Sequence, residues 1–174
     1  MGRQGLLIVY TGEGKGKTTA ALGTLFRAWG HGFRVAVIQF IKIEGARWGE
    51  IKAAERLGIE WRTLGEGFVW EPDNDAEARA RAIDAWALAQ NRIASEAYDL
   101  LVLDEFTYPL HFGWIDPQQV VDWLIAHKPP DLHLIITGRN APPELLSAAD
   151  LVSEIRQVKH PFEAGMRAQK GVEF

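Results

Sequence analysis

Apolar residues along the chain fall into short continuous runs, separated by longer stretches in which they recur every three or four positions. Residues 6–10, 34–39, 100–104, 132–137 and 151–156 read as strands, with 59–62 as a weaker sixth. Runs such as 100–103 and 134–136 lack polar alternation, as expected of strands buried on both faces. Helical spacing covers 17–29, 50–57, 75–96, 117–126 and 143–148, and the Ala-, Arg- and Glu-rich stretch 75–96 has the best intrinsic propensity. Strands alternating with helices predict an α/β fold: a mostly parallel sheet with helices on both faces. Right-handed crossovers then gather the loops that follow the strands along one edge. The stretches 65–75 and 158–174 are irregular, and no repeat, low-complexity tract or linker interrupts the pattern.

A length of 174 residues suits one domain spanning 1–174. Apolar residues make up 47% and charged residues 24%, an ordinary globular mix. The net charge of −4 offers no field that would draw in nucleic acid. Cysteine is absent, which excludes disulfides and thiolate metal sites and fits a cytoplasmic protein. No signal peptide, myristoylation pattern or membrane-length apolar stretch is expected.

The first strand runs into Thr11-Gly12-Glu13-Gly14-Lys15-Gly16-Lys17-Thr18-Thr19, which opens a helix. This is a form of the phosphate-binding G-x-x-x-x-G-K-[ST] loop, with Thr11 in place of the usual first Gly. Its glycines let the backbone curl until several N–H groups face an anion. The helix N-terminus adds partial positive charge. Lys17 brings a full charge, and the Thr18 hydroxyl is placed to ligate magnesium. Strand, spacing and helix together predict a site for ATP with Mg2+.

A second strand ends in Asp104-Glu105, where nucleotide-binding proteins of this type face the magnesium ion. Either carboxylate can hold the ion, and Glu105 can alternatively activate water. Arg139 closes another strand end at Thr137-Gly138-Arg139 and can reach phosphate oxygens. Arg156, Lys159 and His160 follow the last strand as candidates for a cationic rim. His31, His111, His127 and His133 show no paired ligand spacing and read as structural. The Gly-bounded Phe68 and Trp70 suit either core anchoring or a wall for a flat apolar ligand.

These pieces together resemble the P-loop type of ATP:corrinoid adenosyltransferase. The resemblance is carried by the phosphate loop, Gln39-Phe40-Ile41-Lys42, Gly67-Phe68-Val69-Trp70, Leu103-Asp104-Glu105 and Thr137-Gly138-Arg139. It continues through Val158-Lys159-His160-Pro161-Phe162 and Ala164-Gly165-Met166-Arg167-Ala168-Gln169-Lys170-Gly171. It implies a RecA-like nucleotide-binding architecture and transfer of the 5′-deoxyadenosyl group of ATP to Co(I) of a corrinoid. Triphosphate is the implied leaving group. It places Gly14, Gly16, Lys17, Thr18 and Thr19 on the phosphates, with Gly12, Glu13 and Lys15 in the same loop and Arg139 steadying the triphosphate. Thr18 and Glu105 become metal contacts, with Asp104 as the other carboxylate. Phe68 and Trp70 would press on the lower face of the corrin. A homodimer is implied, and a separate flavoprotein is one candidate for the electron donor, which the sequence does not name. Members of the family often carry a basic segment before the first strand, so a shorter or absent cover over the corrinoid is expected here. Two other activities fit the bare motifs: an ATPase using Glu105 as base, and a corrinoid carrier gated by ATP.

Overall fold

Strand β4 (Leu100–Asp104) is buried along its whole length, and its side chains serve two cores in turn. Leu101 and Leu103 point to one face of the sheet, Leu100 and Val102 to the other. The same alternation runs through β1 (Leu7–Thr11) and β2 (Val35–Ile43), which explains the continuous apolar runs. The computed structural model describes residues 4–43, 48–65 and 75–172. Among these, β3 (Glu60–Gly65), β5 (His133–Thr137) and β6 (Leu151–Glu154) complete a six-stranded sheet in the order β3-β2-β4-β5-β1-β6. Every pairing is parallel.

Helices α1 (Lys17–Gly30) and α2 (Gly49–Leu57) cover one face through Ala21, Leu25 and Ala54. Helix α3 (Asp75–Ala94) covers the other, burying Ala82, Ala85, Trp86, Ala89 and Ile93 at helical spacing. Its alanines bring the helix close to the sheet, while Trp86 stacks on Phe106 at 5.0 Å. Short α4 (Thr107–His111), α5 (Pro117–His127) and α6 (Pro143–Ala148) contribute the rest of the helical cover. Asp116 starts α5 by accepting the Gln119 N–H at 2.9 Å, and Pro117 follows where a missing N–H costs nothing. None of the described helices is long and apolar enough to cross a membrane.

The weak strand candidate at 59–62 is a full strand, β3, and β2 extends past Gln39 to Ile43 through a register shift. Ile41 carries a φ of 69° there, an unusual conformation for a β-branched residue. β6 ends at Glu154 rather than 156, because Ile155 turns its backbone to the phosphate loop. Helix α4 was not expected: five residues containing a proline carry no periodic signal.

The two sheet edges differ in purpose. At the edge where strands begin, side chains satisfy strand-start backbone groups. Asp150 accepts the Leu7 N–H at 2.8 Å, Asp99 the Arg34 N–H at 2.8 Å and His133 the Leu6 N–H at 3.2 Å. The half-buried Lys128 donates to the carbonyls of Leu132 at 2.7 Å and Pro129 at 3.1 Å. His133 is therefore structural, as expected, and His127 likewise stacks on Trp123 at 4.7 Å. The opposite edge, where strands end, holds the candidate chemistry.

Candidate active site

The phosphate loop leaves β1 and enters α1 directly. It is seated on the chain that follows β6: Ile155 N–H donates to Thr11 O at 2.8 Å, and Gly14 N–H to Ile155 O at 2.7 Å. A Cβ on Gly14 would lie 2.7 Å from the Arg156 backbone, so only glycine allows this approach. Gly16 is glycine for another reason. Its φ is 120°, and a Cβ there would meet open space, the space over the loop. Lys17 is buried and curls back over the loop, donating to Gly12 O at 2.7 Å and Gly14 O at 2.8 Å. Burial holds its ammonium below the ordinary lysine value, opposed first by the nearby Glu105 charge.

Asp104 is fully buried at the end of β4 and collects three donors. Thr18 Oγ1 donates to Oδ1 at 2.8 Å, Thr137 Oγ1 to the same oxygen at 2.7 Å, and Gln39 Nε2 to Oδ2 at 2.7 Å. Parallel register places Gln39 opposite Asp104, and Thr137 stands at the end of the adjoining β5. Thr137 Oγ1 also accepts the Glu105 N–H at 3.0 Å. Glu105 adopts a φ of 61°, and the fully buried Phe106 behind it anchors the turn against Phe40 at 4.8 Å and Trp86. Glu105 thereby faces the cleft, whereas Asp104 is committed to the three-strand network.

The cleft has a volume of about 870 Å³. Glu13 through Thr19 form its floor and Glu105 one side. Arg139 also reaches it and pairs with Glu13 at 3.3 Å, both side chains remaining largely exposed. Gly12 differs from its loop neighbours: its carbonyl steadies Lys17 and its backbone lies against Ile155. His111 lines the cleft, where α4 carries it with Tyr108 and the C-cap residue Phe112. Burial, then the Glu105 charge, raises the Tyr108 phenol above its ordinary value. Of the expected cationic rim only His160 lines the cleft, beside Gln157; Arg156 and Lys159 are exposed elsewhere. His160 was legible as a candidate, whereas Gln157, His111 and Phe112 carried no motif. Phe68 and Trp70 lie outside the described residues.

Among the described residues, no group of three or more His, Cys, Asp or Glu is placed to hold a metal alone. The Thr18 hydroxyl and the Glu105 carboxylate, which line the cleft, fit a small hard cation that keeps waters and takes further oxygens from phosphate. Such a cleft can hold a polyphosphate and stabilise charge on it as a bond to it breaks.

Comparison with known proteins agrees with this chemistry. A family model described as ATP:corrinoid adenosyltransferase BtuR/CobO/CobP matches residues 3–174. A corrinoid adenosyltransferase from Sinorhizobium sp is 44% identical over 179 residues, covering 98% of this chain and 81% of that protein. The corrinoid adenosyltransferase of Escherichia coli K12 is 41% identical over 98% of this chain and 86% of its own length. The Salmonella typhimurium LT2 corrinoid adenosyltransferase CobA is 42% identical, with the same two shares of 98% and 86%.

Proposed function

The chain belongs to the ATP:corrinoid adenosyltransferase family, and from that premise we propose that its cleft carries out the ATP-dependent adenosylation of a corrinoid in cobalamin biosynthesis. The 5′-deoxyadenosyl group passes to Co(I), and triphosphate leaves. Cobalt supplies the electron pair for the new Co–C5′ bond, while the C5′–O bond breaks and its electrons depart with the triphosphate. This explains why the cleft needs no Ser, Cys or His nucleophile. The protein has to aim C5′ at cobalt and stabilise a highly charged leaving group.

The observation that carries this reading is a glycine-built phosphate loop facing Glu105 in one cleft, in a chain matched by the family over residues 3–174. Lys17 and the loop N–H groups bind the phosphates, and Arg139 adds a second cation. In this reading Lys17 exchanges the carbonyls of Gly12 and Gly14 for phosphate oxygens when ATP binds. Magnesium would be held by Thr18 and Glu105, and it would neutralise charge on the departing triphosphate. Asp104 acts through Thr18, whose hydroxyl donates to it and so turns its lone pairs toward the cleft.

Phe68 and Trp70 are proposed to pack against the lower face of the corrin and exclude its axial ligand. Strand β3 ends at Gly65 on the functional edge, shortly before them in sequence, and lies four strand spacings from β1, roughly 19 Å. Corrinoid on the β3 side and phosphates on the β1 side fit this order. A homodimer is also proposed, supported by Leu151 and Val152 exposed on edge strand β6. A separate flavoprotein is the proposed electron donor. Incubation with MgATP and pre-reduced corrinoid, read by the light-sensitive alkylcobalt spectrum, tests the reaction. No such spectrum, with ATP hydrolysed instead, would favour an ATPase that uses Glu105 as base.

A further inference from the structure

We infer that His160 is a direct ligand of the polyphosphate, donating from Nε2 to the triphosphate part of ATP and of the product. The inference rests on the adenosyltransferase reading and adds a second wall to its phosphate site. The chain after β6 begins in contact with the phosphate loop, through Ile155 N–H to Thr11 O and Gly14 N–H to Ile155 O. Five residues later it brings a half-buried His160 to the same cleft as Glu13, Lys15 and Lys17.

The orientation of the ring follows from a short 3-10 turn at Pro161–Ala164. The Phe162 N–H donates to His160 Nδ1 at 3.1 Å. A neutral imidazole whose Nδ1 accepts must carry its hydrogen on Nε2, which makes that nitrogen a donor. Gln157, the other cleft residue of this segment, is held by the same turn: its Nε2 donates to Glu163 Oε1 at 2.8 Å. One turn therefore sets two polar side chains along the cleft wall. A fixed donor in the cleft that the glycine loop lines suits an anion and offers nothing to a cation.

A purely structural role is the rival, with His160 serving only to cap the turn. Two substitutions separate the roles because each copies one ring nitrogen. In His160→Asn the side-chain oxygen can replace Nδ1 as the cap, and the cleft donor is lost. In His160→Gln the amide nitrogen reaches the place of Nε2, and the cap is lost. The measurements are calorimetric binding of inorganic triphosphate with magnesium to the full chain, and KM for ATP and for corrinoid.

His160→Asn is expected to weaken triphosphate binding and raise the ATP KM about tenfold, the scale of one hydrogen bond to a charged group. The corrinoid KM should stay unchanged, and His160→Gln should recover most of the loss. Any other pattern overturns the inference. A wild-type-like His160→Asn beside a damaged His160→Gln would leave a cap alone. A change confined to the corrinoid KM would put the ring against the corrin. If the wild-type chain made no adenosylcorrinoid, the adenosyltransferase reading itself would fail, while the triphosphate titration would still judge His160.

Discussion

Lys17 shows how burial and function are connected at a single residue. Desolvation lowers its pKa, and bound phosphate would raise it again. ATP binding is then linked to proton uptake wherever the free site has begun to lose its proton. Affinity should be flat at neutral pH and fall as pH climbs through the lowered Lys17 value. Lys17→Met should erase that alkaline slope and weaken ATP binding by about ten- to a hundredfold, the worth of one charged hydrogen bond. ATP titrations across alkaline pH check both points, and an unchanged affinity would remove Lys17 from the phosphates. Glu105→Gln should raise the magnesium concentration needed for half-maximal rate, with little change in corrinoid KM. A magnesium titration decides it; an unchanged requirement would pass the role to Asp104.

At the scale of elements, the turn after β4 depends on packing far from the cleft. Phe106 is fully buried between Phe40 and Trp86, and it holds the Glu105 backbone at a φ of 61°. Phe106→Ala should cost about 3–5 kcal/mol of stability, read by denaturant unfolding. Wild-type stability would show that the aromatic cluster does not support the turn. The elements themselves were largely legible from sequence, because strand runs, helical spacing and the glycine loop are local signals. Helix α4 was not, and with it His111 and Phe112 were missed as cleft residues. The Asp104 network was also hidden. It joins Gln39 and Thr137, which parallel register sets beside Asp104, to Thr18, which the phosphate loop delivers at the start of α1.

Across the whole molecule, the sheet divides its labour between two edges. Structural side chains such as Asp99, His133 and Asp150 tie down the strand starts, and the strand ends are left to chemistry. The proposed corrinoid end of the cleft rests on Phe68 and Trp70. Excluding the axial ligand of Co(II) eases its reduction, and each 59 mV gained is tenfold in a one-electron equilibrium. Phe68→Ala and Trp70→Ala should therefore slow the reaction far more from Co(II) than from pre-reduced Co(I). Equal slowing in both assays would make the aromatics structural.

Adenosyl transfer requires that ATP be cleaved at C5′, with all three phosphates leaving together. Phosphorus NMR of the products formed with MgATP and a pre-reduced corrinoid tests this most directly. One intact triphosphate should appear for each adenosylcorrinoid formed. ADP and phosphate in equal amounts, with no adenosylcorrinoid, would contradict it.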